Sequence, residues 1–194
     1  MYSSKNFDHL LGTPGFSDTL LKNHFALYEG YVKNCNLLHE KFGELRAADK
    51  IGSIDYATLK LRSAWEYNGM RLHELYFGNM KNGDSIHINK NSSLRAELIA
   101  QYGSYEAWEK EFKTMGTIRG VGWITLGYDN EEKSLRNSWV NEHDSGLYVG
   151  TKPILIMDVF EHAYITDYGI KRADYIESFM KAIDWSVVEQ RFNG

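Results

Sequence analysis

The stretch 158-DVFEHAY-164 decides how this chain is read. It follows the apolar run ILIM (154–157) and leads into a polar, helix-like tail. A carboxylate at the end of a buried-looking strand is costly unless it is paired or binds a cation. Asp158 stands in that place, and His162 follows four residues later. The spacing alone is a weak signal, since chance supplies many such pairs. Its meaning depends on what the rest of the chain brings to the strand end.

Upstream, TKPILIMDVF (151–160), KSLRNSWVN (133–141) and GVGWITLGYD (120–129) read as three strands, with turn residues NEE and HDSG between them. SLRAELIAQYG and SYEAWEKEFKTMG precede them as two short helices, each with Ser near its start and Gly at its end. KRADYIESFMKAIDWSVVEQRF returns to helix after the strands. The first third of the chain reads as two long helices. One follows a Ser17 or Asp18 cap and carries the stripe Leu20, His24, Leu27, Tyr31, Cys35, Leu38. The other ends near Gly78 and carries Tyr56, Leu59, Ser63, Tyr67, Met70, His73. The polar connector RAADKIGS (46–53) suits an antiparallel hairpin. KNGDSIHINKNSS (81–93) is the best linker. The order predicts an α+β protein: an N-terminal antiparallel α-hairpin domain over 1–82, then a C-terminal domain over 92–194 with a three-stranded antiparallel sheet flanked by helices.

Composition bounds the function. The chain has 194 residues, 43% hydrophobic and 25% charged, which suits one domain or two small ones sharing a core. A formal net charge of -4 argues against a nucleic-acid partner, which would require a basic face. Cys35 is the one cysteine, so no internal disulfide forms, in keeping with a reducing compartment. No apolar run approaches the ~20 residues of a membrane span, and the first residues lack a signal-peptide core. The expectation is a water-soluble, cytoplasmic protein.

His24 and His73 sit mid-stripe on helices expected to face each other. One histidine on an apolar face is usually packed and hydrogen-bonded; two facing ones weaken that reading. With Asp158 and His162 they would form a shell of three imidazoles and one carboxylate. Mixed nitrogen and oxygen ligands with positions left open suit a redox-active metal such as iron or manganese. Structural zinc sites more often include cysteine. His9, His39 and His87 lie in polar or terminal contexts and read as solvated, and Cys35 reads as core.

The region 158–185, DVFEHAYITDYGIKRADYIESFMKAIDW, resembles the C-terminal motif of the iron/manganese superoxide dismutases. GVGWITL (120–126) is similar to that family's G-x-G-W-x-W-L strand, and YGSYEAWEKEF (102–112) to its F-G-S-F-x-x-F-x-x-x-F helix. The similarity covers nearly the whole chain and is strongest from Tyr102 onward. It implies the family's fold, with the metal site between the two domains. It also implies one Fe or Mn ion per subunit, redox conversion of superoxide to oxygen and hydrogen peroxide, and a homodimer or a tetramer. By resemblance, His24, His73, Asp158 and His162 are the metal ligands. Tyr31, in YVKN, matches the gateway tyrosine, and Trp123 the tryptophan that walls the pocket. Glu161 matches the glutamate that reaches the ligand histidine of a second copy.

The chain departs from the family pattern in four places. His24 lies seven residues before Tyr31, where the family usually has eight; either spacing is about two helical turns, and Asn23 at the strict position is a poor ligand. The usual gateway His/Tyr pair reads Leu27 (or Tyr28) and Ile165. Phe160 replaces a tryptophan. The glutamine that touches metal-bound solvent is missing from both of its usual places: the helix position is Gly69 and the loop reads EHD. His143 therefore either takes the glutamine's role or is a loop histidine in solvent. Lys171 and Arg172 either draw in an anion or, for Arg172, close a salt bridge within the fold. Two other readings remain beside the dismutase: a non-haem iron oxygenase, and a catalytically inactive member kept as a metal-binding or structural subunit.

Overall fold

The computed structural model describes residues 1–83 and 87–194. Part of the expected linker, 84–86, lies outside the described residues. Helix α1 (Asp18–Ala47) and helix α2 (Ile54–Gly78) form the hairpin. The next two are α3 (Ser93–Tyr102) and α4 (Tyr105–Gly116). All four start on a serine whose hydroxyl accepts a backbone N–H three residues ahead: Ser17 from Leu20, Ser53 from Tyr56, Ser92 from Arg95 and Ser104 from Ala107. Each such cap stabilises its helix by about 1 kcal/mol.

Strands β1 (Gly122–Asp129), β2 (Ser134–Asn141) and β3 (Thr151–Asp158) make one antiparallel sheet in the order β2-β1-β3. β1 is central, so its start lies beside the ends of both neighbours. The register pairs Trp123 with Asp158 and Gly122 with Asn141. One end of the sheet therefore gathers Trp123, Asp158 and the turn after Asn141. Beyond β3, a 3-10 turn (Glu161–Ala163) carries His162 back over the strand end. α5 (Ile165–Tyr168), α6 (Arg172–Ala182) and α7 (Trp185–Asn193) complete the chain. The helical tail is thus broken, at Ile183, whose backbone is extended.

Both expected stripes on the long helices shift. α1 buries Tyr28 and Val32 and leaves Leu27 exposed. α2 buries Leu72, Tyr76 and Phe77, and Tyr67 is exposed. The far half of the hairpin packs on itself, as Phe42 does on Tyr56, outside the main core. The near half is enclosed by the N-terminal segment, the sheet and the tail, so a wider arc of each helix is covered there. Phe7 reaches Phe77 at 4.9 Å between ring centroids, and Lys5 pairs with the buried carboxylate of Glu74 at 3.0 Å.

Two polar residues bind the parts together. Asn79, fully buried after α2, donates to the carbonyls of Tyr76 (2.9 Å) and Ile156 (3.2 Å) and accepts from Ile156 N–H (2.9 Å). Arg191 of α7 donates to Asn79 Oδ1, to Ile154 O and to Leu75 O. Among the described residues Arg172 forms no ion pair of the kind expected; its guanidinium donates to the carbonyls of Ile118, Gly120 and Val159. Those carbonyls lie in loops that a long, five-donor side chain can reach together.

Candidate metal centre

His24 leaves α1, His73 leaves α2, Asp158 ends β3, and His162 sits on the 3-10 turn that follows. One ligand atom from each lies within 4.8 Å of every other. The Nε2 atoms of His162, His24 and His73 stand 3.0, 3.2 and 3.7 Å from the same oxygen, Oδ2 of Asp158. His24, His73 and Asp158 are buried and His162 is partly buried.

His73 shows what this cluster is built to hold. Its Nδ1 lies 2.6 Å from the carbonyl of Gly69, which can only accept, so the ring proton is on Nδ1. That leaves a lone pair on Nε2, and this buried atom has no hydrogen-bond partner among the described residues. It faces the Asp158 oxygen, another electron pair. Two lone pairs directed at each other in a buried space are unfavourable without a cation between them. Burial lowers the proton affinity of His24 and lowers that of His73 strongly, so both favour the neutral, ligating form. For Asp158, burial alone would raise the pKa, but His162 and His24 outweigh it and hold the carboxyl well below the usual range. The other carboxylate oxygen accepts the N–H of Phe160 at 2.8 Å. Behind it, Tyr175 donates to the Asp158 carbonyl at 2.6 Å, and Tyr76 lies 3.1 Å from the Tyr175 hydroxyl. Three imidazoles and one ionised carboxylate suit a first-row redox metal.

Tyr31 lies two turns along α1 from His24, and its ring stacks on His73 at 5.2 Å. Gly69 makes that approach possible, because a Cβ there would come within 2.7 Å of the Tyr31 ring. His143 is fully buried, not a solvated loop residue. Its Nε2 is 2.7 Å from the Tyr31 hydroxyl, and its Nδ1 accepts the indole N–H of Trp123 at 3.0 Å. An indole N–H only donates, so Nδ1 carries no proton. Burial lowers the pKa of His143 to about 4. The neutral ring therefore bears its proton on Nε2, which donates to the Tyr31 oxygen. The Tyr31 O–H is then free to point elsewhere. Burial, with Asp158 next, raises the Tyr31 pKa strongly, so that proton is retained. Phe160 stacks on both His143 (4.9 Å) and His162 (5.0 Å) and closes the aromatic wall with Trp123.

Leu27 lines a cavity of about 230 Å³ with Tyr31, while Tyr28 turns inward and bonds Glu74. Of the two residues left open there, Leu27 lies on the cavity side with Tyr31 and Tyr28 does not. Glu161 and Ile165 are exposed, as is Lys171. His9, His39 and His87 are exposed and Cys35 is buried, as expected.

One residue that the sequence did not single out also touches this group. Trp65 packs on His143 at 4.3 Å between ring centroids, and its indole N–H donates to Glu142 at 3.0 Å. The line Trp65, Gly69, His73, at i, i+4 and i+8 on α2, was a usable signal.

The comparisons agree with this geometry. Residues 90–191 match the family model described as "Iron/manganese superoxide dismutases, C-terminal domain". The chain is 36% identical over 183 residues to the manganese superoxide dismutase 2 of Haloferax volcanii, covering 92% of this chain and 88% of the relative. It is 34% identical over 182 residues to the iron superoxide dismutase of Cupriavidus metallidurans, covering 92% and 89%. It is 33% identical over 192 residues to the iron superoxide dismutase of Aquifex aeolicus, covering 95% and 89%. The match spans both long helices and the sheet, and the chain belongs to the iron/manganese superoxide dismutase family.

Proposed function

We propose that the protein is a superoxide dismutase using one iron or manganese ion per subunit, with His24, His73, Asp158 and His162 as its ligands. The observation that carries the reading is the unpartnered Nε2 of His73, aimed with His24 and His162 at one carboxylate oxygen. A bound iron or manganese ion supplies reversible one-electron exchange, so that one superoxide leaves as oxygen and a second as peroxide. Forming hydrogen peroxide consumes two protons, drawn in the end from solvent, and the chain's task is to hold a donor beside the reacting anion. The Tyr31 O–H, freed by the Nε2–H of His143, donates toward the reacting anion. Trp123 fixes the tautomer of His143. Asp158 adds one negative charge to the donor set and so favours the more oxidised ion. Trp123, Phe160 and His143 keep bulk water out of the pocket.

The N-terminal (1–82) and C-terminal (92–194) segments act as two domains with the site at their junction, which the origin of the ligands supports: two from the hairpin and two from the β3 end. The working form is a homodimer in which exposed Glu161 reaches His162 of a second copy. A cytoplasmic location fits the single cysteine. No helix among the described residues is long and apolar enough to cross a membrane. No observation favours the inactive subunit, since the four donors converge. Replacing His24 with Ala is expected to lower bound metal at least tenfold and remove dismutation, read by metal analysis and superoxide decay. Full activity in that variant would refute the ligand assignment.

A further inference from the structure

His143 occupies the middle of a very tight turn. Asn141 N–H bonds Ser145 O at 2.6 Å, closing a loop of three residues, Glu142 to Asp144. A side chain on such a loop usually faces water. Here it is fully buried, and part of its cover comes from a different part of the chain: Trp65 on α2. Glu142 takes a left-handed backbone, φ 49, which is uncommon for a residue with a Cβ and persists only where the surroundings enforce it. Two bonds do so. Its N–H donates to Val121 O at 3.0 Å, and its carboxylate accepts the Trp65 indole N–H at 3.0 Å. Arg62 stacks on the Trp65 ring at 3.6 Å and limits its motion.

We propose that Trp65 is a positioning residue for His143, bolting the β2–β3 turn to α2 through Glu142 and so holding His143 Nε2 against the Tyr31 hydroxyl. The inference deepens the proton-delivery reading of Tyr31 and His143 and rests on it. Without the Trp65–Glu142 bond, the left-handed turn relaxes and the imidazole separates from Tyr31. Trp65 packs on the rings of Tyr31 and His143, and it acts by holding them in place.

The test is read first by nuclear magnetic resonance on the protein loaded with zinc, a diamagnetic occupant of the same four donors. The His143 Nε2–H should be seen as a slowly exchanging proton. Trp65→Phe keeps an aromatic ring but lacks the N–H, and Glu142→Ala removes the acceptor. In both, that proton is expected to exchange with water about tenfold faster, as loss of one hydrogen bond allows. Glu142→Gln keeps an acceptor oxygen and should restore slow exchange. With iron or manganese bound and metal content unchanged, Trp65→Phe should lower kcat about tenfold. An unchanged His143 signal in both Trp65→Phe and Glu142→Ala would overturn the proposal. The reading it rests on fails separately, if His143→Ala retains full kcat at full metal occupancy.

Discussion

At the scale of single residues, space around Tyr31 is as important as its hydroxyl. The ring is held between His73 and Trp65, and Gly69 is the point where it passes closest to α2. Gly69→Ala is expected to push the ring away from His143, costing about 1–3 kcal/mol of stability as overpacking and lowering kcat about tenfold or more while the metal stays bound. Thermal unfolding and superoxide decay with metal analysis check both. A variant with unchanged kcat would show that Tyr31 does not need its present place. The ligands themselves were legible because a buried Asp at a strand end and two histidines on facing stripes each ask for a partner. His143 admits two readings from sequence alone. Whether a turn residue is buried depends on what packs over it, and here that cover includes Trp65, 78 positions earlier in the chain.

At the scale of elements, the site depends on where β3 ends. Asn79 pins β3 by its backbone at Ile156, two residues before Asp158, and joins it to the end of α2 and to Arg191. Asn79→Ala would leave the buried Ile156 N–H and the Arg191 guanidinium short of acceptors. A destabilisation of about 2–4 kcal/mol is expected, or a fall of several degrees in Tm, with weaker metal retention. An unaltered Tm would mean that neighbouring bonds hold the strand without it. Helices and strands were largely legible, since serine caps and period-two patterns are local signals. The helical stripes were less so. Leu27 is in register with the expected stripe yet exposed, and Tyr28 and Val32 are buried, because the tail and N-terminal segment cover α1 from a side its own sequence cannot reveal. The break at Ile183 was missed for a similar reason: its backbone turns where Asp184 N–H bonds Asn79 O, a tertiary contact.

At the scale of the molecule, the donor set makes stability depend on metal and pH. In the metal-free protein His24, His73 and His143 are held in their neutral forms chiefly by burial. Their folded pKa values lie below 6.5, so the unfolded chain binds more protons as pH falls. The stabilisation is complete above about 6.5. For His143 it is lost as pH drops from about 6.5 towards about 4, a change on the order of 3 kcal/mol. Asp158, also depressed, adds a loss in the same direction only below its ordinary value of 3.8. Urea midpoints of the metal-free protein at pH 7.5 and pH 5 should therefore differ markedly, and equal midpoints would contradict the assignment of neutral buried histidines. Metal binds the folded chain and competes with protons, so the loaded protein should be more stable at both pH values and gain most at the higher one.

The central claim is that four residues from four elements, α1, α2, β3 and the 3-10 turn after it, hold a redox metal that turns over superoxide. The most direct measurement is superoxide decay catalysed by metal-free protein and by the same protein reloaded separately with iron and with manganese, with bound metal quantified in each sample. Catalysis that is absent without metal and scales with occupancy by at least one of the two ions is the expected result. Full occupancy by both ions without catalysis would contradict the account.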